Sequence, residues 1–275
     1  MRQITDIREI QSRLNKLLNH FANVCEKNNL NFYLSNGTLL GAVKYQGFIP
    51  WDDDIDIIMP RNDYDRLMDL IDIDTDRYRL LSKERTSSWK LPFAKLSDTS
   101  TLLYETTANF GCELGIFIDI FPIDKWNSSE KKAKREAKKT GILRRFISAS
   151  TEKNFYSPRK DWRRPILYLI WVYSHLWGTE HFLKRVLKRS DQYRDRDTDY
   201  VGCVVWTAYG AKEVLSKKLF DHECSIVFEG RSYKTFSGYD TYLRQLYGNY
   251  QKDPPIDKQK THHTFCIYEK DPSSN

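Results

Sequence analysis

The stretch LSNGTLLGAVKYQGFIPWDDDIDIIMPR, residues 34–61, constrains this chain more than any other. Residues 32–34 lead in as a short apolar strand, a Gly37-Thr38 turn follows, and residues 39–43 begin a helix. After a loop punctuated by glycine and proline, residues 55–59 read as a second strand that carries Asp54 and Asp56. Side chains two apart on a strand share a face, so these carboxylates converge. Flanked by Ile55, Ile57 and Ile58, they repel each other unless a cation sits between them. Unpaired charge is expensive in such company, which sets the run apart from the solvated acidic turn that most aspartate clusters form. Mg²⁺ (or Mn²⁺) answers that demand with a few carboxylate oxygens, taking the rest of its shell from water and substrate phosphates. A glycine at position 37 lets backbone N–H groups approach a phosphate, and Thr38 adds a hydroxyl donor. Together these features predict a site for a metal-bound nucleotide diphosphate.

A second apolar run, GIFIDIFPID at 115–124, reads as a strand covered on both faces, with Asp119 in its middle. An isolated carboxylate there costs several kcal/mol unless it is paired or metal-bound. A salt bridge would explain it; the preferred reading makes it the third carboxylate of the metal site. Lys95 falls within a predicted strand at 91–96, where it either faces solvent or meets a phosphate. The adjacent His262 and His263 are too close in sequence for a zinc pair without other ligands. Either hydrogen-bonds a phosphate, shuttles a proton, or lies idle on the surface.

Elsewhere, Ile4, Ile7, Ile10, Leu14, Leu17, Leu18, Phe21 and Val24 recur at helical spacing and mark an amphipathic first helix. Strands are expected at 78–81, 101–104 and 201–206, a hairpin at 225–236 turning on Glu229-Gly230, and a helix at 239–247. Charge is distributed unevenly. Residues 125–196 hold 20 Lys and Arg against 7 Asp and Glu, so the rest of a chain of net charge +7 is acidic. Within that basic segment a lysine-rich helix at 128–146 precedes ILYLIWVYSHLW at 166–177, which is too short to span a bilayer. With basic flanks and several Trp and Tyr it suits either a membrane interface or a helix packed on the main domain. The N-terminus lacks the apolar core of a signal peptide, and the five scattered cysteines include no CxxC pair. Reduced thiols in the cytoplasm are the expectation, at most with peripheral contact to the inner face of an anionic membrane.

The motifs GTLLGAVKYQGFIPWDDDIDI, MPRNDYDRL, FAKLSDTSTLLYE, GIFIDIFPID, FEGRSYKTFSGYDTYLRQLYGNY and PPIDKQKTHH fall in an order that resembles the LicD family. That family includes bacterial phosphocholine transferases and is distantly similar to fukutin-type ribitol-phosphate transferases. The resemblance covers roughly residues 5–124 and 200–266. It departs from the family at Asn249, where Asp is common, and at Ile256-Asp257, where Glu-Glu is common. It implies a mixed α/β (α+β) fold, with a nucleotidyltransferase-like mixed β-sheet core flanked by helices. Residues 1–124 would form the catalytic core, 125–199 a basic helical insertion, and 200–275 the part that completes the catalytic domain. Carried onto this sequence, the resemblance gives Asp54, Asp56 and Asp119 as metal and catalytic carboxylates and Gly37 and Thr38 as the phosphate turn. Lys44 and Lys95 become phosphate clamps, Asp52 and Asp53 orient the loop or bind a second ion, and the two histidines join the substrate site.

The implied reaction uses CDP-choline or another CDP-alcohol with Mg²⁺. A hydroxyl of a glycan or lipid-linked glycan attacks the distal phosphorus and CMP leaves. A choline group would want an aromatic cage, for which Trp51, Trp89, Tyr104 and Trp206 are the candidate walls. A nucleotidyltransferase acting with an NTP on a small molecule or polynucleotide is the alternative. The Pro50-Trp51 loop and the histidine tail favour the first reading, so no nucleic acid partner is expected.

Overall fold

Asp6 fixes where the first helix begins. Its side chain accepts the backbone N–H of Arg8 at 2.9 Å, which frees the chain upstream for another use. Residues Arg2–Ile4 accordingly form strand β1, and Ile7–Lys27 form helix α1. Ile4 was expected in the helical stripe; it is buried in β1 instead, while Ile10, Leu14, Leu17, Leu18 and Phe21 cover the sheet as the pattern requires. The computed structural model from which these elements are taken describes residues 1–105, 108–157, 159–261 and 265–271.

In chain order, β2 (Tyr33–Leu34), α2 (Asn36–Tyr45), β3 (Asp56–Pro60), α3 (Arg61–Asp69), β4 (Tyr78–Leu81), β5 (Ala94–Asp98), β6 (Thr101–Tyr104) and β7 (Ile116–Lys125) come first. Three helices follow, α4 (Glu130–Thr151), α5 (Arg163–Trp177) and α6 (Thr179–Asp191). The chain then returns through β8 (Tyr200–Gly202), β9 (Leu215–Ser216), the hairpin β10 (Glu223–Phe228) and β11 (Arg231–Phe236), α7 (Tyr239–Tyr247) and β12 (Cys266–Glu269). The fold is mixed α/β. The main sheet runs β2-β3-β7-β5-β4, and β8 joins the far end of β7. Strand β7 lies at its centre, parallel to β3 and antiparallel to β5, which accounts for its nearly unbroken apolar sequence. A smaller sheet, β1-β12-β6, ties the two ends of the chain together.

Two strands differ from expectation. The segment expected at 91–96 pairs over Ala94–Asp98, with Leu91 and Phe93 buried outside the ladder. The one expected at 201–206 ends at Gly202, whose backbone lies so close to the carbonyl of Glu213 that a Cβ would meet it at 2.0 Å. Val204 beyond it fills a small core with Trp126, Ala133, Ala137 and Val214, so its apolar character serves packing and not a ladder. That core anchors the start of α4 to the sheet. A second one, of Leu143, Ile147, Phe182, Leu183 and Val186, joins α4 to α6, with Phe146 stacked on Phe182 at 5.1 Å. All five cysteines are free thiols. No helix among the described residues is long and apolar enough to cross a membrane.

The turn from β3 into α3 is fastened to β7 by a two-point ion pair. Arg61 Nε and Nη2 donate to the two carboxylate oxygens of Asp124 at 2.6 and 3.0 Å, and the aspartate side chain is 1% exposed. Burial pushes the Asp124 carboxyl up to about 6 despite the guanidinium, so the pair depends on both partners. Removing one partner leaves a buried charge uncompensated. Asp124→Ala is therefore expected to lower stability by about 3–5 kcal/mol in chemical denaturation.

Candidate active site

Three neighbouring strands put Asp56, Asp119 and Lys95 in one row. Asp56 on β3 is the register partner of Asp119 on β7, and Asp119 is the partner of Lys95 on β5. Cross-strand partners share a face of the sheet, so the three side chains rise together. Lys95 is only 5% exposed and is not the solvent-facing lysine an isolated strand position suggests. Its ammonium donates to the Asp119 carboxylate and lies 3.4 Å from the centre of the Phe117 ring. Burial lowers its pKa and the charge of Asp119 opposes that shift.

Asp56 is less well served. Its carboxyl is held well above the usual carboxylate range, first by desolvation and then by the charges of Asp54 and Asp119. A hydrogen bond from the Asn36 side chain works the other way. Asn36 opens α2 with φ near 50°, a conformation Asn tolerates, and is held there by Tyr242, whose Oη donates to Asn36 Oδ1 at 2.9 Å. Thr38 is buried, and its Oγ1 accepts the backbone N–H of Asp56 at 2.9 Å. Its hydroxyl oxygen thus ties β3 to the first turn of α2. Gly37 sits in that same turn, where backbone N–H groups have no partner within the helix, and a Cβ added to it would meet the Asp52 carboxylate at 2.9 Å.

Asp54 lies just before β3, not within it, yet it and Asp56 line one pocket of about 400 Å³. Gly37, Lys44, Trp51 and Asp52 line the same pocket, and Asp53 belongs to the same loop but not to the lining. The opposite wall comes from the C-terminal part of the chain: Tyr209, Tyr247, Asn249 and Asp253. Lys44 donates to Asp253, bridging the two walls, and the Tyr209 and Tyr247 hydroxyls meet at 2.9 Å. Lys95, Asp119 and Thr38 do not line this space. Among the described residues, no three acidic, His or Cys side chains are gathered to enclose a metal ion, and Asp119 is engaged by Lys95. A cation nevertheless suits the donors present: Asp56 is desolvated and stands near the like charges of Asp54 and Asp119, which a divalent ion would neutralise. His262 and His263 lie outside the described residues.

Of the four aromatic walls expected from sequence, only Trp51 reaches the pocket. Trp89 is fully buried and donates to the Phe93 carbonyl at 2.9 Å, Tyr104 is exposed on β6 in the other sheet, and Trp206 packs on Phe93. Tyrosines from the C-terminal part take their place. Sequence reasoning also missed Gln11, a polar residue within the apolar stripe of α1. Its Nε2 donates to the carbonyls of Asp52 at 2.9 Å and Ile49 at 3.3 Å and so holds the acidic loop from behind. A buried amide on an otherwise apolar helix face was the available signal.

A protein of Haemophilus influenzae called lipopolysaccharide cholinephosphotransferase LicD is 30% identical over 277 residues, spanning 98% of this chain and 99% of that protein. The chain belongs to the LicD family. The family profile described as "LicD/FKTN/FKRP, nucleotidyltransferase domain" matches residues 29–165, which contain Asp54, Asp56, Lys95 and Asp119. Shorter matches include uncharacterized proteins of Rickettsia prowazekii (47% over 45 residues) and Rickettsia typhi (61% over 31 residues). They cover 16% and 11% of this chain, and 17% and 10% of those proteins. The full-length match runs through the basic segment, which the sequence motifs had left outside the resemblance.

Two substitutions test this LicD-family site. Gln11→Leu keeps the helix stripe but releases the acidic loop, and is expected to cut activity about tenfold while far-UV circular dichroism stays unchanged. Glu213, buried beneath the Tyr209 turn, accepts that residue's backbone N–H, and burial pushes its carboxyl up to about 8. The folded form therefore holds a proton that the unfolded chain releases near pH 4.5. This contribution is full below about pH 4.5, declines as pH rises toward 8, and is flat beyond. Glu213→Gln should lose that slope in melting temperature measured from pH 5 to 8.

Proposed function

We propose that this chain transfers phosphocholine, or a related phospho-alcohol, from a CDP-activated donor to a hydroxyl of a cell-surface glycan or its lipid-linked precursor. Lipopolysaccharide, teichoic acid or capsule would be the acceptor class, and Mg²⁺ or Mn²⁺ the required ion. The observation that carries the reading is the end-to-end similarity to a protein named for phosphocholine transfer to lipopolysaccharide. The pocket's adjoining carboxylates give it a place to occur.

A divalent ion, when bound, would supply positive charge against the diphosphate and its leaving group. Asp54 and Asp56 would hold it, and Asp119, shared with Lys95, is the third candidate for the set. The Asn36 side chain donates to Asp56 and works against the rise of its carboxyl. The first turn of α2 at Gly37 offers backbone N–H groups and the positive end of the helix to a phosphate, and Lys44 adds a cation at the rim. Trp51, Tyr209 and Tyr247 line the same pocket and are the aromatic residues that would meet a trimethylammonium group. The acceptor oxygen bonds to the alcohol-bearing phosphorus as the bond to the bridging oxygen breaks. CMP leaves with that electron pair, and the hydroxyl proton passes to a carboxylate of the cluster.

Incubation with CDP-choline, a glycan acceptor and Mg²⁺ should release CMP, and chelation should stop the reaction. Pyrophosphate release from an NTP would instead favour the nucleotidyltransferase reading. Asp56→Asn is expected to lower turnover on the order of 10²–10³-fold, the range for loss of one charge-stabilising group. Its melting temperature should hold or rise, because a repelled buried charge is removed.

A further inference from the structure

We propose that α5 and the arginine-lined cleft along its flank form a docking surface for an anionic lipid bilayer. This goes beyond the transfer reaction, since none of these residues lines the acidic pocket. Of the 15 residues of α5 only Ser174 is buried. Ile166, Leu169, Leu176 and Trp177 recur at helical spacing and stay exposed, Leu169 at 64% and Leu176 at 79%, while Tyr173 between them packs on Phe146 and Phe182. Tyr173 thus fastens the helix to α4 and α6, and the leucines beside it face away from the protein, the reverse of what a helix packed as core requires. Fifteen residues rise about 22 Å, short of a hydrocarbon layer about 30 Å thick, so the helix lies in the interface and does not cross. Trp162 at its start and Trp177 at its end are both exposed, the placement aromatic residues take at a membrane–water boundary.

Charge selects the partner. A cleft of about 650 Å³, bordered by Leu167 and Ile170 of α5, is lined by Arg144, Arg145, Arg159 and Arg163 against one carboxylate, Glu152. Arg144 Nε and Trp171 Nε1, on two residues that line this cleft, are buried donors with no acceptor among the described residues. Asp161 stands 3.5 Å from Arg159, exposed at the edge. Phosphate head groups supply both the negative charge and the acceptor oxygens such a cleft lacks, while the adjoining stripe takes the acyl boundary. A protein partner would meet the stripe equally well, but the surrounding segment carries 20 basic residues against 7 acidic ones, which favours the lipid surface.

The test is flotation of the full-length protein with vesicles of phosphatidylcholine alone or mixed with phosphatidylglycerol. Binding to the mixed vesicles that weakens with salt is expected, with little binding to the neutral ones. Leu169→Asp with Leu176→Asp, both at exposed positions, should reduce binding at least about tenfold, as should Arg159→Gln with Arg163→Gln. Circular dichroism and melting curves establish that each variant is folded. Quenching of tryptophan fluorescence by brominated acyl chains, seen with the unsubstituted protein and diminished by Trp177→Phe, supports the docking without reliance on the aspartate variants. Absence of binding to either vesicle overturns the proposal. So does full retention of binding by the leucine variant with complete displacement by inorganic phosphate, which would mark a free-anion site. A wild-type dimer that ignores vesicles and becomes monomeric on Leu169→Asp would show that a second copy of the chain covers the stripe.

Discussion

The structure depends on carrying like charges side by side in a buried sheet. Asp56 and Asp119 are register partners on the parallel strands β3 and β7, and the same hydrogen-bonded ladder that stabilises the fold forces them together. Lys95, one strand further, answers Asp119. Asp56 is left with desolvation and the charges of Asp54 and Asp119 against it, opposed by the Asn36 side chain and the more distant charge of Lys95. A fold built for stability alone would not retain such a row. Its expense is understandable if an ion and a diphosphate relieve it during use.

Holding that row open to a ligand takes residues far apart in the chain. Gln11 grips the loop at 49–52 from α1, Thr38 ties β3 to α2, and Tyr242 of α7 sets Asn36. The pocket wall opposite the carboxylates is brought by Tyr209, Tyr247 and Asp253, from the C-terminal part of the chain. Glu213 fixes the Tyr209 turn, and the Lys44–Asp253 pair links one wall to the other. The basic helices lie apart from this pocket and reach the sheet through the small core around Trp126. Catalytic geometry and surface chemistry are thus divided between separate parts of the chain.

Periodicity made most elements legible. The stripe of α1, the apolar run of β7, the Glu229-Gly230 hairpin and the helix Tyr239–Tyr247 all follow from spacing and turn residues. Where the reading slipped, packing had overridden pattern. Val204 is apolar to fill a core, and Ile4 belongs to a strand because Asp6 caps the helix after it. Asp54 was read inside a strand that begins two residues later, yet it still reaches the pocket with Asp56. Aromatic content alone could not say which rings face a ligand. Of the four proposed from sequence, three serve the core or another sheet.

The sequence by itself determined the family, the mixed fold, and the acidic run whose charges are too costly to be idle, because these rest on local order along the chain. Only the tertiary structure decided that Lys95 is the counter-ion of Asp119, that Thr38 holds a strand, and that tyrosines from the C-terminal part face the carboxylates. It also decided that Leu169 and Leu176 of α5 are exposed while Tyr173 packs inward. Each of these is a matter of which side chains meet across long separations. Pairing register and core packing fix that, and neither is written in the spacing of neighbouring residues.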